Sequence, residues 1–189
     1  MKLVLASQSP RRKELLELIS GEFEVLVSQA DESLEPGVAP DRAVQQLALK
    51  KAQAVAALRP GHTVIGADTL VVAGDEILGK PHDGADARRM LTRLSGCEHK
   101  VYTGVALVRD GNSRLFVEEA AVRFYPLEPE DIDRYIATGE PADKAGAYGI
   151  QGRGALLVQS VNGDFYTIMG LPVARLSREL KQFEILTNR

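Results

Sequence analysis

The stretch Leu3-Val-Leu-Ala-Ser7-Gln-Ser9-Pro10-Arg11-Arg12 does most to narrow what this chain can fold into. Leu3 to Ala6 is a short apolar run, long enough for a buried strand. Ser9 then offers an N-cap, and Pro10 suits the first helical position. Leu15, Leu16 and Ile19 follow at helical spacing. A strand therefore feeds directly into a helix N-terminus. Two arginines fall in the first turn of that helix, where the macrodipole disfavours cations by about 0.3–1 kcal/mol each. An anion reverses the sign. Backbone N–H groups, the hydroxyls of Ser7 and Ser9, and two guanidinium forks together suit a polyphosphate. The alternative is that both arginines are solvated and only tolerated. The glycine and lysine spacing of a P-loop is absent.

At 189 residues the chain is expected to form a single α/β domain, 1–189. A net charge of −3 and a pI near 5.7 argue against a general nucleic-acid or membrane binder, though not against a local basic pocket. One cysteine, Cys97, allows no intrachain disulfide and fits a reducing compartment. No signal peptide is visible and no apolar segment approaches the length of a membrane span, so a cytoplasmic address is expected.

The most apolar run is Val64-Ile-Gly-Ala-Asp68-Thr69-Leu-Val-Val72, which reads as a central strand. Asp68 lies in its middle. An unpaired carboxylate there would cost several kcal/mol, so it needs a cation, a metal or a proton. The alternative is a strand interrupted by a turn, with Asp68 exposed. The helix expected over Asp41–Leu58 has the stripe Val44, Leu47, Ala48, Val55, Leu58, and Lys51 falls on it. Lys51 either snorkels out of the core edge or meets a negative charge. Lys80, between Gly79 and Pro81, is a second candidate cation. Asp31 and Glu32 stand just past a strand expected at Phe23–Val27, in a loop 29–40 with a turn signal at Pro36-Gly37. They are surface charges or, near the mouth of an α/β sheet, metal ligands or acids.

Helices are expected over 83–94, 128–137 and 171–186. Strands over 99–108 and 116–124 flank a hairpin signal at Asp110-Gly111-Asn112. Residues 155–161 and 165–168 are expected to pair as a last hairpin around Asn162-Gly163. Gly139 to Gly154 shows no core periodicity and reads as a glycine-rich loop, functional or simply exposed. Within it Tyr148 and Gln151 are placed to stack on, and hydrogen-bond, a base. His62, His82 and His99 are scattered without zinc spacing, and no nucleophile elbow appears.

Several of these stretches, taken in order, resemble one family. Leu-Ala-Ser7-Gln-Ser9-Pro-Arg11-Arg12, Ile65-Gly-Ala-Asp68-Thr69, Gly79-Lys80-Pro81, Asp143-Lys-Ala-Gly-Ala-Tyr-Gly-Ile-Gln151-Gly152 and Gly163-Asp164-Phe165 through Gly170-Leu171-Pro172 look like the Maf family of nucleoside triphosphate pyrophosphatases. The resemblance runs from Leu3 to about Phe183. It implies a twisted mixed sheet with flanking helices, two lobes around a deep cleft, and a fold similar to that of inosine-triphosphate pyrophosphatases. It implies hydrolysis of a nucleoside triphosphate to the monophosphate and pyrophosphate with a divalent cation, Mg²⁺ or Mn²⁺. Arg11, Thr69 and Gln151 together look like the subgroup acting on dTTP and UTP. The family is also tied to house-cleaning of modified nucleotides and to arrest of septum formation, and it suggests a homodimer. In this reading Ser7, Arg11, Arg12, Lys51 and Lys80 meet the triphosphate. Glu32 and Asp68 hold the metal, and Asp68 also orients or deprotonates the attacking water. Thr69 and Gln151 read the pyrimidine. Glu32, Lys51, Asp68 and Lys80 are the expected catalytic set. The competing reading is a nucleotide-sensing regulator of cell division with little turnover.

Overall fold

Leu3, Val4 and Leu5 are almost wholly buried, and they form the first strand, β1 (Leu3–Leu5). In this computed structural model the described residues are 2–33 and 37–187, so the turn expected at Pro36 lies outside them. Helix α1 (Pro10–Glu17) follows β1 after four loop residues; Ser9 caps it by accepting from the Arg12 N–H, with Pro10 at the first position. The short β2 (Glu24–Val25) and the long β3 (Thr63–Ala73) both run parallel to β1, one on each side of it. Helix α2 (Pro40–Ala56) lies between them in the chain.

The remaining elements are β4 (Glu76–Leu78), α3 (Gly84–Leu94), β5 (Glu98–Arg109), β6 (Asn112–Phe124), α4 (Pro129–Ile136), β7 (Val158–Gly163), α5 (Phe165–Met169) and α6 (Val173–Thr187). Among the described residues the strands form one mixed seven-stranded sheet, ordered β2-β1-β3-β5-β6-β7, with β4 antiparallel to the end of β3. The expected α/β class holds. The hairpin β5–β6 turns on Asp110-Gly111, both at positive φ (47° and 83°), the backbone that two-residue hairpins demand.

The expected final hairpin does not form. Phe165–Met169 is a helical turn, because the Asp164 carboxylate accepts from the N–H of Thr167 at 2.9 Å and from the Thr167 hydroxyl at 2.9 Å. A capped first turn thus replaces the strand that aromatic and β-branched residues suggested. The glycine-rich segment is not an unstructured loop either; it folds as three 3₁₀ turns, Glu140–Asp143, Ala145–Ala147 and Gly152–Leu157.

The chain divides into two compact units. The first holds residues up to Asp68, Thr103–Glu118 and the chain from Gly170 on; the second holds Thr69–Tyr102 and Glu119–Met169. In the first unit α2 packs its stripe Val44, Ala48, Ala52 and Val55 on the sheet, with Val4, Ala6, Val64, Ala106 and Val108 among its buried partners. Two glycines permit the close approach. A Cβ on Gly66 would stand 2.8 Å from the Ala52 amide nitrogen, and one on Gly104 2.7 Å from the Gln45 nitrogen. In the second unit α3 and α4 cover a core of Val71, Leu78, Met90, Leu91, Phe124, Ile132 and Tyr148. Among the described residues no helix is long and apolar enough to cross a membrane.

Candidate active site

Chain order makes β1 the switch point of the parallel strands. After β1 the chain pairs β2 on one side, then returns to place β3 on the other. Ligands of open α/β sheets sit outside the carboxyl ends of strands at such a point. The residues that leave the carboxyl end of β1 are Ala6, Ser7, Gln8 and Ser9, followed by the N-terminus of α1. Ser7 is buried, and its hydroxyl oxygen accepts from the Ser9 N–H at 3.1 Å and, weakly, from Arg12 Nη1 at 3.5 Å. Its O–H proton is thereby directed to another acceptor. Arg12 is anchored from its far side: Nε donates to the Gly170 carbonyl at 2.8 Å, across 158 positions of sequence.

Helix α2 brings the second component. Lys51 lies on its buried stripe and is only 9% exposed. The strand β3 alternates its side chains, so Val64, Gly66 and Asp68 share the face that α2 covers. Lys51 Nζ donates to Asp68 Oδ1 at 2.6 Å, and Asp68 is only 8% exposed. The same ammonium lies 3.1 Å from Glu32 Oε2. Lys51 does not snorkel; it bridges two carboxylates. Asp68 is not in an exposed turn but inside a continuous strand. In β3, Thr63–Ile65 pairs with β1 and Val71–Ala73 with β4, so Gly66–Leu70 pairs with neither. A carboxylate in the most apolar strand therefore falls in the interval between its β1 and β4 pairings, while β5 is the strand's other neighbour.

Electrostatics ties the two components together. Burial lowers the Arg12 guanidinium below its ordinary range, while the Asp68 carboxylate pulls it back up; the Arg11 charge pushes it down and Glu32 up, in that order of size. Arg12 stays a cation throughout, as guanidinium does in proteins. Ser7, Arg11, Arg12, Glu32, Lys51 and Asp68 all belong to the first unit.

Thr69, Lys80 and Gln151 belong to the second unit. Strand alternation turns Thr69 to the face opposite Asp68. Lys80 is exposed in the segment after β4, and Gln151 is exposed ahead of the third 3₁₀ turn, its side chain making no cap hydrogen bond. Tyr148, expected to stack on a base, is instead a core residue. It is 5% exposed, packs edge-on against Phe124 and His99 at 4.8 and 5.3 Å between centroids, and its hydroxyl is 2.8 Å from His99 Nε2.

Two supporting residues escaped the sequence. Lys50 Nζ donates to the Ser33 carbonyl at 3.0 Å and so tethers the loop that carries Glu32. Off the apolar stripe, it gave no signal. The Gly170 carbonyl that anchors Arg12 is a backbone group, which no residue pattern marks.

The donor set also bears on a metal. Glu32 and Asp68 offer hard carboxylate oxygens around one shared ammonium. Among the described residues no third His, Cys, Asp or Glu joins them. Magnesium is commonly held by one or two carboxylates with substrate phosphates and water completing its shell. The two acids fit that pattern.

Fold and site define an α/β protein in which a buried carboxylate–ammonium pair is coupled to an arginine at the helix start that follows a strand's carboxyl end. The family model for Maf-like protein matches residues 2–183. The chain belongs to the Maf family. A dTTP/UTP pyrophosphatase of Bacillus cereus (strain AH187) is 52% identical over 184 residues, 97% of this chain and 96% of that one. A dTTP/UTP pyrophosphatase of Bacillus cytotoxicus is 54% identical over 183 residues, with the same coverage of each. Among solved structures a HAM1 protein from Coxiella burnetii matches with a TM-score of 0.53 at 15% identity, covering 96% of this chain and 99% of that one, a likeness of fold.

Proposed function

We propose that this protein hydrolyses nucleoside triphosphates, dTTP and UTP foremost, to the monophosphate and pyrophosphate. The observation that carries the reading is the Lys51–Asp68 pair with Glu32 against its ammonium, electrostatically coupled to Arg12 in the first turn of α1. Relatives named for that activity, more than half identical over nearly the whole chain, support it.

The roles follow from the chemistry. Ser7 donates its O–H to a phosphate oxygen, and Arg11 and Arg12 meet the polyphosphate with planar donor forks. The Gly170 carbonyl holds Arg12 in place before substrate arrives, so less ordering entropy is lost on binding. Asp68 orients the attacking water and accepts its proton. Lys51 donates a hydrogen bond to Asp68 in its buried position and lends positive charge where the transition state gathers negative charge. Glu32 and Asp68 would hold Mg²⁺ or Mn²⁺, which supplies charge neutralisation and a Lewis acid at the phosphates. Lys80 is proposed as a further phosphate cation, and Thr69 and Gln151 as readers of the pyrimidine; their identities and the family resemblance support these roles. A cytoplasmic address rests on the lone cysteine, and a homodimer rests on the resemblance. House-cleaning of the nucleotide pool is the physiological use we favour.

A regulator that only senses nucleotide would need the cations but gain nothing from acids beside phosphate. The test is product analysis across a panel of triphosphates with Mg²⁺ or Mn²⁺. The proposal expects equimolar monophosphate and pyrophosphate from dTTP and UTP. No pyrophosphate from any triphosphate would leave the sensing reading in its place.

A further inference from the structure

Gln151 is exposed, yet the chain on both sides of it is pinned. Two residues before it, the Gly149 N–H donates to the Tyr135 hydroxyl at 3.0 Å. Two and three residues after it, the N–H groups of Arg153 and Gly154 donate to the Glu140 carboxylate. The Arg153 N–H lies 3.0 Å from Oε1 and 3.1 Å from Oε2, and the Gly154 N–H 3.3 Å from Oε2. Gly152 lies between, at φ 67°, and a Cβ there would stand 2.8 Å from Glu140 Oε1. The carboxylate thus occupies the space a side chain at 152 would take.

Glu140 is itself fixed at both backbone ends. Its N–H donates to the Thr138 hydroxyl at 3.2 Å, and its carbonyl accepts from Lys144 Nζ at 2.6 Å. Lys144 is also packed beneath the loop: a Cβ on Gly149 would meet its Cε at 3.0 Å. A carboxylate that takes backbone N–H groups forms charge-assisted bonds, about twice as strong as neutral ones. Glu140 is half-buried and Gln151–Arg153 are exposed, while Gly154 at the end of the clamp is buried. What these bonds fix is the backbone on either side of Gln151.

We propose that Glu140 is a positioning residue for substrate specificity, acting through Gln151 to select nucleobases with a carbonyl at position 4 and an N–H at position 3 over those with a 4-amino group. This rests on the proposed reading of the base by Gln151. A glutamine amide pairs with that edge only from a fixed orientation; a loop free to turn presents oxygen or nitrogen alike and loses the distinction.

The experiment measures kcat and KM for dTTP, UTP and CTP with wild type, Glu140→Gln, Glu140→Ala, Gln151→Ala and the Glu140→Ala/Gln151→Ala double variant. We expect Glu140→Ala to raise KM for dTTP and UTP about tenfold and to shrink their preference over CTP, with kcat little changed. Glu140→Gln keeps an acceptor oxygen and recovers most of the preference. In the Gln151→Ala background, removing Glu140 changes the preference no further. Unchanged selectivity in Glu140→Ala, with selectivity lost in Gln151→Ala, overturns the positioning role alone. Full selectivity in Gln151→Ala overturns the base-reading premise instead. Should Glu140→Ala fail to fold, Glu140→Gln alone decides: with at most two of three bonds retained it must show a smaller loss of the same kind, and wild-type selectivity together with wild-type KM overturns the proposal.

Discussion

Lys51 and Asp68 each occupy a position that neither charge tolerates alone. Both are buried, and the Lys51 ammonium is the group that meets the Asp68 carboxylate at 2.6 Å. Replacing Lys51 by Met strands a carboxylate in the core, and we expect about 3–5 kcal/mol of lost stability by urea unfolding. The double variant Lys51→Met/Asp68→Leu should recover most of that loss, since a buried pair exchanged for apolar groups is near neutral. His99 gives a second test at this scale. Burial lowers its imidazole from 6.5 to about 4. The unfolded chain then binds a proton the folded one refuses between those values, so stability is full above pH 6.5 and falls as the pH drops toward 4. The contribution is about 3 kcal/mol, and unfolding of His99→Phe at pH 7.5 and pH 5 should show a flatter dependence than wild type. Residues were legible in the sequence where burial and charge conflict on one element: Asp68 in an apolar strand and Lys51 on an apolar helical stripe both declared themselves. Tyr148 did not, because a glycine-rich neighbourhood hides the fact that its ring and hydroxyl both have core partners.

Helix α2 is the element that turns those two residues into a pair. It approaches the sheet through Gly66 and Gly104, whose missing side chains leave room for its backbone. Gly104→Ala should force α2 outward, with Val44 and Gln45 nearest the new methyl group. We expect it to cost about 1–3 kcal/mol and to reduce turnover, although residue 104 bears no reactive group; thermal melting and steady-state rates check both. The element-scale reading succeeded where one period dominated, as in α2, α3 and the β5–β6 hairpin. It failed at Phe165–Met169, where Phe, Tyr, Thr and Ile argue for a strand and one aspartate argues for a helical turn. The Asp164 cap won because it satisfies two donors of Thr167 at once. The 3₁₀ turns after Gly139 were illegible for a related reason: their bonds run to Glu140, Tyr135 and Lys144 rather than along an apolar stripe.

The whole molecule is acidic, with a net charge of −3, while the first turn of α1 carries two arginines. A bound polyphosphate relieves their mutual repulsion, so ligand should stabilise the fold. With Mg²⁺ and a non-hydrolysable dTTP analogue at 100 times its Kd, we expect a gain of about 2.7 kcal/mol, read as a rise in Tm of about 5–10 °C. Arg12→Ala should abolish most of that rise. The sequence does not show how its segments interleave: residues up to Asp68, Thr103–Glu118 and the chain from Gly170 on make one unit. The bond from Arg12 to Gly170 is a consequence of that interleaving, and no local pattern encodes it. All of the site chemistry converges on Asp68. The direct measurement is the steady-state turnover of Asp68→Asn with dTTP at saturating Mg²⁺. The account predicts a fall in kcat of about 10²–10⁴-fold in a protein that still melts cooperatively; turnover close to wild type would contradict it.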